Sequence, residues 1–324
     1  MDNTTLSLLV LAHPAESQLK MLDQLPEGTT IAVGESIEAF ERVAPSADAI
    51  LVWSGTRALL QQLWPIAPRV RWVHSRAAGL DGVLFPELIE SPVPLTNGSG
   101  VFSRSLGEFV AAAALYFAKD FRRMIRNQAA GRWEQFDVEE VHGKTMGIVG
   151  YGDIGRAAAE RGKALGMRVI ALRRRPEKSQ GDGLIDEVFG PDRLLDLMSE
   201  SDYVVAASPL TPETKGLIGA EAIESMKSTG VLMNVGRGPV IDEAALIAAL
   251  RQRRIRGAAL DVFETEPLPD GHAYFELENV LLSPHCADHT PTWLEDAMQF
   301  FVDNFERFRK GEPLKNVVEK RLGY

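Results

Sequence analysis

The sequence is poor in residues that would cross-link it or hold it in a membrane. It contains one cysteine, Cys286, which excludes an intrachain disulfide and is compatible with a reducing compartment. The apolar run at residues 6–12 has no basic flank and is far shorter than the roughly 20 residues of a membrane span. We therefore expect a cytoplasmic protein that neither crosses nor anchors to a bilayer.

The chain also lacks an excess of positive charge. It has 35 Lys and Arg against 45 Asp and Glu, a net charge of -10, and this disfavours nucleic acid as a partner because phosphate binding needs concentrated cations. No clustered ligand spacing for zinc is present, so no metal is expected. Hydrophobic residues make up 45% of the 324 residues, which is typical of a globular protein, and the length favours two domains.

Short apolar runs alternate with helical patterns along the chain. A first series of candidate strands lies at residues 6–12, 49–53 and 70–74, and a second at 146–150, 168–172, 203–207, 231–235, 258–262 and 280–283. The second series is hydrophobic on both strand faces. It therefore predicts a parallel sheet covered by helices on both sides, a doubly wound α/β fold.

Two helices are predicted from signals of their own. Ser105 and Glu108 form a possible capping box, which would open an Ala-rich helix running towards Arg126. After Pro291, large apolar residues repeat with helical spacing and predict one buried helical face. They are Trp293, Met298, Phe301, Phe305 and Phe308.

A Gly-x-Gly-x-x-Gly turn follows the candidate strand at 146–150 and precedes an Ala-rich helix. Gly150 permits the tight turn, Gly152 lets the backbone approach a pyrophosphate, and Gly155 lets helix and strand pack closely. The helix N-terminus adds free N–H groups and the positive end of a dipole. This context predicts a dinucleotide-binding site.

An arginine run stands where an NAD-selective site usually carries an acid. That acid accepts hydrogen bonds from the ribose about 20 residues after the glycine turn. Here Arg173, Arg174 and Arg175 occupy the place, and guanidinium groups bind phosphate bidentately. The sequence therefore predicts NADP(H) in preference to NAD(H), with a solvated basic loop as the alternative.

Three distant segments each contain a polar residue suited to reducing a keto acid. They are NVGRG with Arg237, DVFETEP with Glu266 and SPHCADH with His285. Arginine matches a carboxylate with its rigid fork, histidine exchanges protons near neutrality, and a carboxylate can hold the histidine ring. Because they follow a dinucleotide turn, a hydride-transfer enzyme is the leading hypothesis.

In its ordered motifs the chain resembles the D-2-hydroxyacid dehydrogenases over nearly its whole length. The motifs are GYGDIG, SPLTPET, NVGRGPVIDEAAL, ALDVFETEPLP and SPH. The resemblance implies a Rossmann cofactor domain, residues 101–289, inserted into a flavodoxin-like substrate domain, residues 1–100 and 290–324. It also implies a homodimer that reduces small 2-keto acids, such as glyoxylate or hydroxypyruvate, to D-2-hydroxy acids.

The resemblance assigns roles to single residues. Arg237 would pair with the substrate carboxylate and polarise the keto oxygen, His285 would donate the proton, and Glu266 would hold His285 and favour its protonated state. Backbone N–H groups of Ala78 and Gly79 would hold the substrate carboxylate. Besides the three glycines, Arg173, Arg174 and His285, the cofactor would be lined by Asp153, Ile154, Ser208, Pro209, Val235, Gly236 and Asp261.

Several positions leave alternatives open. The family tends to have small, glycine-containing sequence after His285, whereas this chain has CADH at 286–289, so the substrate side chain is not predicted. Trp133 or Phe136 could enter a neighbouring subunit's active site or pack in an ordinary dimer interface. Arg76 could recognise a second anionic group or form a surface salt bridge. Two other functions fit the scaffold: NAD-dependent oxidation of phosphite or formate, and a dinucleotide-sensing, corepressor-like interaction protein.

Overall fold

The computed structural model describes residues 5–324, which form two compact units. The first unit comprises the described residues up to Phe102 together with Thr290–Tyr324, and the second comprises Ser103–His289. Each unit contains its own parallel sheet, of five and seven strands respectively. The predicted α/β fold is confirmed. Among residues 5–324, no helix combines the length and apolar character that a membrane span requires.

The first unit alternates strands with short helices. Its strands are β1 (Ser7–Leu11), β2 (Thr30–Gly34), β3 (Ala49–Val52), β4 (Trp72–Ser75) and β5 (Leu95–Asn97), and its helices before residue 102 are α1 (Arg57–Leu63) and α2 (Pro86–Glu90). Short 3-10 helices lie at Ser17–Gln24, Ile37–Ala39, Ala44–Ser46 and Trp64–Ile66. The strand order β2-β1-β3-β4-β5 is that of a flavodoxin-like sheet.

The second unit is the larger one. Its helices are α3 (Ser103–Ala118), α4 (Phe121–Ala129), α5 (Asp153–Ala164), α6 (Leu194–Glu200), α7 (Ala220–Ser225), α8 (Glu243–Arg251) and α9 (Ala273–Glu276). Its strands are β6 (Thr145–Val149), β7 (Arg168–Leu172), β8 (Glu187–Phe189), β9 (Tyr203–Ala206), β10 (Val231–Asn234), β11 (Gly257–Leu260) and β12 (Val280–Leu282). 3-10 helices lie at Pro176–Ser179, Pro191–Arg193 and Gly238–Val240.

The seven strands of the second unit are ordered β12-β11-β10-β9-β6-β7-β8. The first strand, β6, has β7 and β8 on one side. The chain then crosses back, and β9 to β12 follow on the other side of β6. This reversal is the topological switch point, where ligands of doubly wound sheets bind outside the carboxyl ends of the strands. The glycine turn after β6 lies at this point.

The last helix, α10 (Trp293–Lys310), belongs to the first unit and buries the predicted apolar face. Phe301 stacks on Trp72 with ring centroids 5.4 Å apart, and Phe305 is fully buried. Trp72 and Phe301 also pack against His74, whose Nδ1 lies 2.7 Å from Thr96 Oγ1. Burial lowers the pKa of His74 to about 3, so this histidine is a neutral core residue.

Two details of the helix prediction are wrong. α3 begins at Ser103, so Ser105 lies inside the helix and donates its hydroxyl hydrogen bond to the Ala287 carbonyl, 2.7 Å away, instead of capping. The helix also stops before Arg126. Asp120 has a left-handed φ of 50°, and its side chain accepts from the Arg123 N–H, which caps the separate helix α4.

Candidate active site

The glycine turn is shaped by close backbone contacts. Gly150 has a φ of +98°, and a Cβ added there would lie 2.5 Å from Ser208 Oγ. A Cβ on Gly155 would lie 2.5 Å from the Gly150 carbonyl oxygen, so α5 approaches the turn as closely as the motif requires. A Cβ on Gly152 would meet no atom within 4 Å, so the backbone there faces open space. These features fit the cradle of a dinucleotide pyrophosphate.

The neighbouring strands bring further predicted cofactor residues to the same edge. Ser208 follows β9, is buried, and donates its hydroxyl to the Val149 carbonyl of β6 at 3.0 Å. Gly236 follows β10, and a Cβ there would lie 2.7 Å from the Ser208 carbonyl oxygen. The carboxyl ends of β6, β9 and β10 therefore form one continuous surface beside the glycine turn.

The arginine run follows β7, the neighbour of β6 on its other side. Arg173 donates from Nη1 to Ser179 Oγ at 2.6 Å, whereas Arg174 is exposed. The pKa of Glu213 is lowered, chiefly by a hydrogen bond from the Thr211 hydroxyl and more weakly by the charge of Arg174.

The three predicted catalytic residues follow three adjacent strands. Arg237 stands three residues after β10, Glu266 six after β11 and His285 three after β12. His285 Nδ1 lies 2.7 Å from Glu266 Oε2, and Glu266 Oε1 accepts the Phe263 N–H at 2.9 Å. Glu266 thus holds one ring nitrogen of His285 and leaves Nε2 for another partner. The side chains of His285 and Glu266 are 46% and 34% exposed, so a small molecule can reach them.

The loop that carries Arg237 is fixed from both sides. Asn234 is buried, donates from Nδ2 to the Arg237 carbonyl at 3.0 Å, and accepts the Gly236 N–H at 3.1 Å. Gly238 is packed against the loop that carries Glu266: an added Cβ would lie 1.9 Å from both the carbonyl carbon and oxygen of Phe263. Sequence reasoning did not identify this contact between the two loops.

Asp261 organises the loop that carries His285. It is buried, and its Oδ1 accepts the Ser283 hydroxyl at 2.6 Å and the N–H groups of Cys286 and Ala287, each at 3.0 Å. The His285 N–H donates to the Asp261 carbonyl at 2.9 Å. A sequence signal was present, because Asp261 is a carboxylate directly after an apolar strand.

Asp288 adds a further carboxyl group to this loop. Among the described side chains, its Oδ1 is buried without a hydrogen-bond donor, since His289 Nε2 lies 3.7 Å away. Burial raises the pKa of Asp288; the charge of Asp261 adds to the rise, while those of His289 and His285 oppose it. Within the CADH segment, Asp288 is therefore the residue whose carboxyl group combines a buried oxygen with a raised pKa.

The predicted substrate loop lies in the first unit and directly follows β4. The Ala78 carbonyl accepts the Asn97 Nδ2 hydrogen bond at 2.6 Å, which anchors the loop beside Gly79. The Arg76 guanidinium carbon lies 5.2 Å from the Trp53 ring and 5.4 Å from the Trp293 ring. The loop is therefore held firmly within its own unit.

Trp133 and Phe136 differ in their surroundings. Trp133 is 95% exposed. Phe136 is covered by the Arg123 guanidinium, 4.3 Å from the ring centroid, and Arg123 also pairs with Glu134.

Within residues 5–324, no group of three or more His, Cys, Asp or Glu side chains is arranged to hold a metal ion.

Comparison with known proteins identifies related sequences and structures. Residues 111–287 match the family model of the D-isomer specific 2-hydroxyacid dehydrogenase NAD binding domain. The glyoxylate reductase of Thermococcus gammatolerans is 36% identical over 268 residues, covering 79% of this chain and 78% of that protein.

Two solved structures are similar over almost the whole chain. A D-isomer specific 2-hydroxyacid dehydrogenase from Xanthobacter autotrophicus, in complex with NADPH and MES, has a TM-score of 0.83 at 30% identity and covers 99% of this chain and 100% of its own. An NADPH-dependent glyoxylate/hydroxypyruvate reductase from Sinorhizobium meliloti, in complex with NADP and sulfate, has a TM-score of 0.83 at 25% identity with the same coverage.

Proposed function

The chain belongs to the D-isomer specific 2-hydroxyacid dehydrogenase family, and from this premise we propose that it reduces small 2-keto acids, of the glyoxylate and hydroxypyruvate kind, with NADPH. Membership makes it an oxidoreductase that uses a nicotinamide cofactor. The observation that carries the proposal is the 2.7 Å contact between His285 Nδ1 and Glu266 Oε2. Glu266 follows β11, and β11 lies beside β10, the strand that leads to Arg237.

The roles of these side chains follow from their chemistry. Arg237 binds the substrate carboxylate and polarises the neighbouring keto oxygen. His285 donates a proton from Nε2 to that oxygen, because Glu266 occupies Nδ1 and fixes the ring direction. A bound nicotinamide supplies the hydride. The product of this reduction is a D-2-hydroxy acid. In the oxidative direction His285 takes the proton back from the hydroxyl group, and the 2-keto acid is formed again.

The second unit supplies the cofactor site in this proposal. The N–H groups after Gly152, at the start of α5, hold the pyrophosphate, with Gly155 allowing the helix to approach. Further contacts come from residues at the turn and at neighbouring strand ends, namely Asp153, Ile154, Ser208, Pro209, Val235, Gly236 and Asp261. Arg173 and Arg174 bind the 2′-phosphate and favour NADPH, which is supported by their position after β7.

The first unit supplies the substrate loop. We assign the substrate carboxylate to the backbone N–H groups of Ala78 and Gly79, because the loop follows a parallel strand at its carboxyl end. The anchored Ala78 carbonyl supports this assignment, since a loop fixed in advance loses little freedom when it binds a ligand.

We further propose a cytoplasmic homodimer. The dimer is supported by exposed apolar side chains on α4 and the segment after it, comprising Phe121, Met124, Ile125, Trp133 and Val138. Since Phe136 is covered by Arg123 and Trp133 is 95% exposed, Trp133 is the residue that would reach a neighbouring subunit.

The test is a spectrophotometric screen of 2-keto acids with NADPH and with NADH. We expect turnover of glyoxylate or hydroxypyruvate and a higher kcat/KM with NADPH. A clear preference for NADH would refute the cofactor assignment. No turnover with any 2-keto acid would refute the reductase function. If the protein then oxidises phosphite or formate with NAD, that activity becomes its function. Binding of dinucleotide without any turnover would instead favour an interaction protein.

A further inference from the structure

The segment that follows the arginine run is fastened to the glycine turn by one carboxylate. Asp182 Oδ2 accepts hydrogen bonds from the Tyr151 hydroxyl at 3.0 Å and from Arg156 Nη1 at 2.6 Å. Its Oδ1 accepts the Leu184 N–H at 3.1 Å. Tyr151 is the residue between the first two glycines of the turn, and Arg156 lies in α5. We refer to Tyr151, Arg156 and Asp182 as the latch.

The same segment is also held at its other end, where it follows the strand β7. Arg173 donates from Nη1 to Ser179 Oγ at 2.6 Å, and its N–H donates to the Phe189 carbonyl at 3.0 Å. Ser179 is buried, and Gly181, with a φ of +80°, supplies the turn that leads to Asp182. Residues 173–182 are therefore fixed at both ends, one at β7 and one at the glycine turn.

In the hydrogen bond between Tyr151 and Asp182, the hydroxyl remains the donor and the carboxylate remains the acceptor near neutral pH. Burial and the neighbouring Asp182 raise the pKa of Tyr151 to about 12, so its hydroxyl remains a donor. Burial alone would raise the pKa of Asp182, but the Leu184 N–H, the Tyr151 hydroxyl and the charge of Arg156 together lower it. Asp182 therefore remains an ionised acceptor.

We propose that the latch is a positioning device that sets the discrimination between NADPH and NADH. Arg173 and Arg174 belong to the segment that it fixes, so the latch restricts their freedom before a 2′-phosphate binds. Without the latch, binding would have to order the segment, and only the cofactor that carries the 2′-phosphate would lose affinity. The inference rests on the proposed binding of that phosphate by the arginine run.

The chain offers a matched contact for comparison. Lys163, in the last turn of α5, places Nζ 2.9 Å from both carboxylate oxygens of Asp186, in the same connection between β7 and β8. This ion pair also joins the helix to the connection, but at the opposite end of the helix from the glycine turn. Its removal tests whether any loss of a helix-to-loop contact changes cofactor choice.

The experiment compares Tyr151→Phe and Asp182→Asn with the control Lys163→Gln. Dissociation constants for NADPH and NADH are measured by fluorescence titration, and kcat is measured at saturating NADPH. Because a hydrogen bond to a charged group is worth roughly tenfold in an equilibrium constant, we expect NADPH to bind about tenfold more weakly in both latch variants. We expect NADH affinity, kcat and the control variant to change by less than about twofold.

Two results would overturn the inference: unchanged affinities for both NADPH and NADH in Tyr151→Phe, or an equal weakening of both cofactors, which is the mark of a merely structural contact. If Asp182→Asn fails to fold, Tyr151→Phe decides, since it removes only one hydroxyl group. The proposed function is judged separately, by the preference of the unmodified enzyme. The latch is judged by the change in that preference between enzyme and variant.

Discussion

Gly238→Ala is the substitution that tests the catalytic geometry most directly. Gly238 follows Arg237 and touches the backbone of the loop that carries Glu266. An added Cβ would lie 1.9 Å from the Phe263 carbonyl carbon and oxygen and 2.5 Å from the Glu264 nitrogen. All these atoms are backbone, so no flexible side chain can turn away to make room. The two loops must therefore move apart.

The size of the effect follows from that distance. Ordinary van der Waals contact begins near 3.4 Å, so a contact of 1.9 Å requires a displacement of about 1.5 Å. Overpacking of this kind costs about 1–3 kcal/mol of stability. A misplacement of about 1 Å in a catalytic group can cost about 100-fold in rate. We expect kcat/KM for glyoxylate to fall by at least about 100-fold, because Arg237 and Glu266 can no longer face the same substrate.

The assay combines steady-state kinetics with NADPH fluorescence titration and thermal unfolding. We expect NADPH binding to weaken by less than about fivefold, since most of the proposed cofactor contacts, at the glycine turn and the arginine run, follow other strands. Gly219→Ala is the control: its φ is −86°, and an added Cβ would lie 3.5 Å from its nearest neighbour. A Gly238→Ala variant that folds and retains kcat/KM within about threefold would refute the argument that this contact sets the geometry.

Two further predictions concern the loop after β12. His285→Gln should leave NADPH binding intact and lower kcat by about 100- to 10,000-fold, because glutamine cannot supply the proton; a kcat within tenfold of the unmodified enzyme would contradict the assignment. Asp288→Asn should stabilise the protein above acidic pH. Burial raises the pKa of Asp288 in the folded state, so its stabilising contribution is present at low pH and is lost as the pH rises through that raised value. The melting temperature of Asp288→Asn should exceed that of the unmodified protein by roughly 1–2 °C at neutral pH and converge with it below about pH 4; an equal difference at neutral and acidic pH would contradict this.

The central strands were predictable because they are buried on both faces. In the strand β7, Arg168–Leu172, the four residues after Arg168 are apolar and buried, and the predicted bounds agree with the structure. The strands β2, β5 and β8 were not predicted. Each lies at a sheet edge. The strands β2 and β8 are partly exposed and β5 has only three residues, so none of the three shows a long continuous run of apolar residues.

Helix boundaries failed for a different reason. The capping-box pattern of Ser105 and Glu108 is local, but the Ser105 hydroxyl is taken by a carbonyl 182 residues away. Such a tertiary partner is invisible in a local pattern. The break at Asp120 did have a local signal, because aspartate is a favoured N-cap residue and the helix α4 follows it directly.

The candidate site was predictable to the extent that strand ends carry function. Arg237, Glu266 and His285 stand just after three consecutive strands, and consecutive parallel strands commonly lie side by side. The contacts that fix these residues were not predictable. The contact of Gly238 with Phe263 and the hydrogen bonds accepted by Asp261 join segments about 25 residues apart, and no local pattern specifies them.

These supporting contacts explain how His285 keeps an unfavourable backbone conformation. Its φ of 50° is in the left-handed region, which costs a residue with a side chain about 1 kcal/mol or more. Asp261 compensates by accepting four hydrogen bonds from residues 283–287, one of them from the His285 N–H itself. Glu266 then fixes the ring. The direction of His285 is therefore set before any substrate arrives, so substrate binding does not have to order the proton donor.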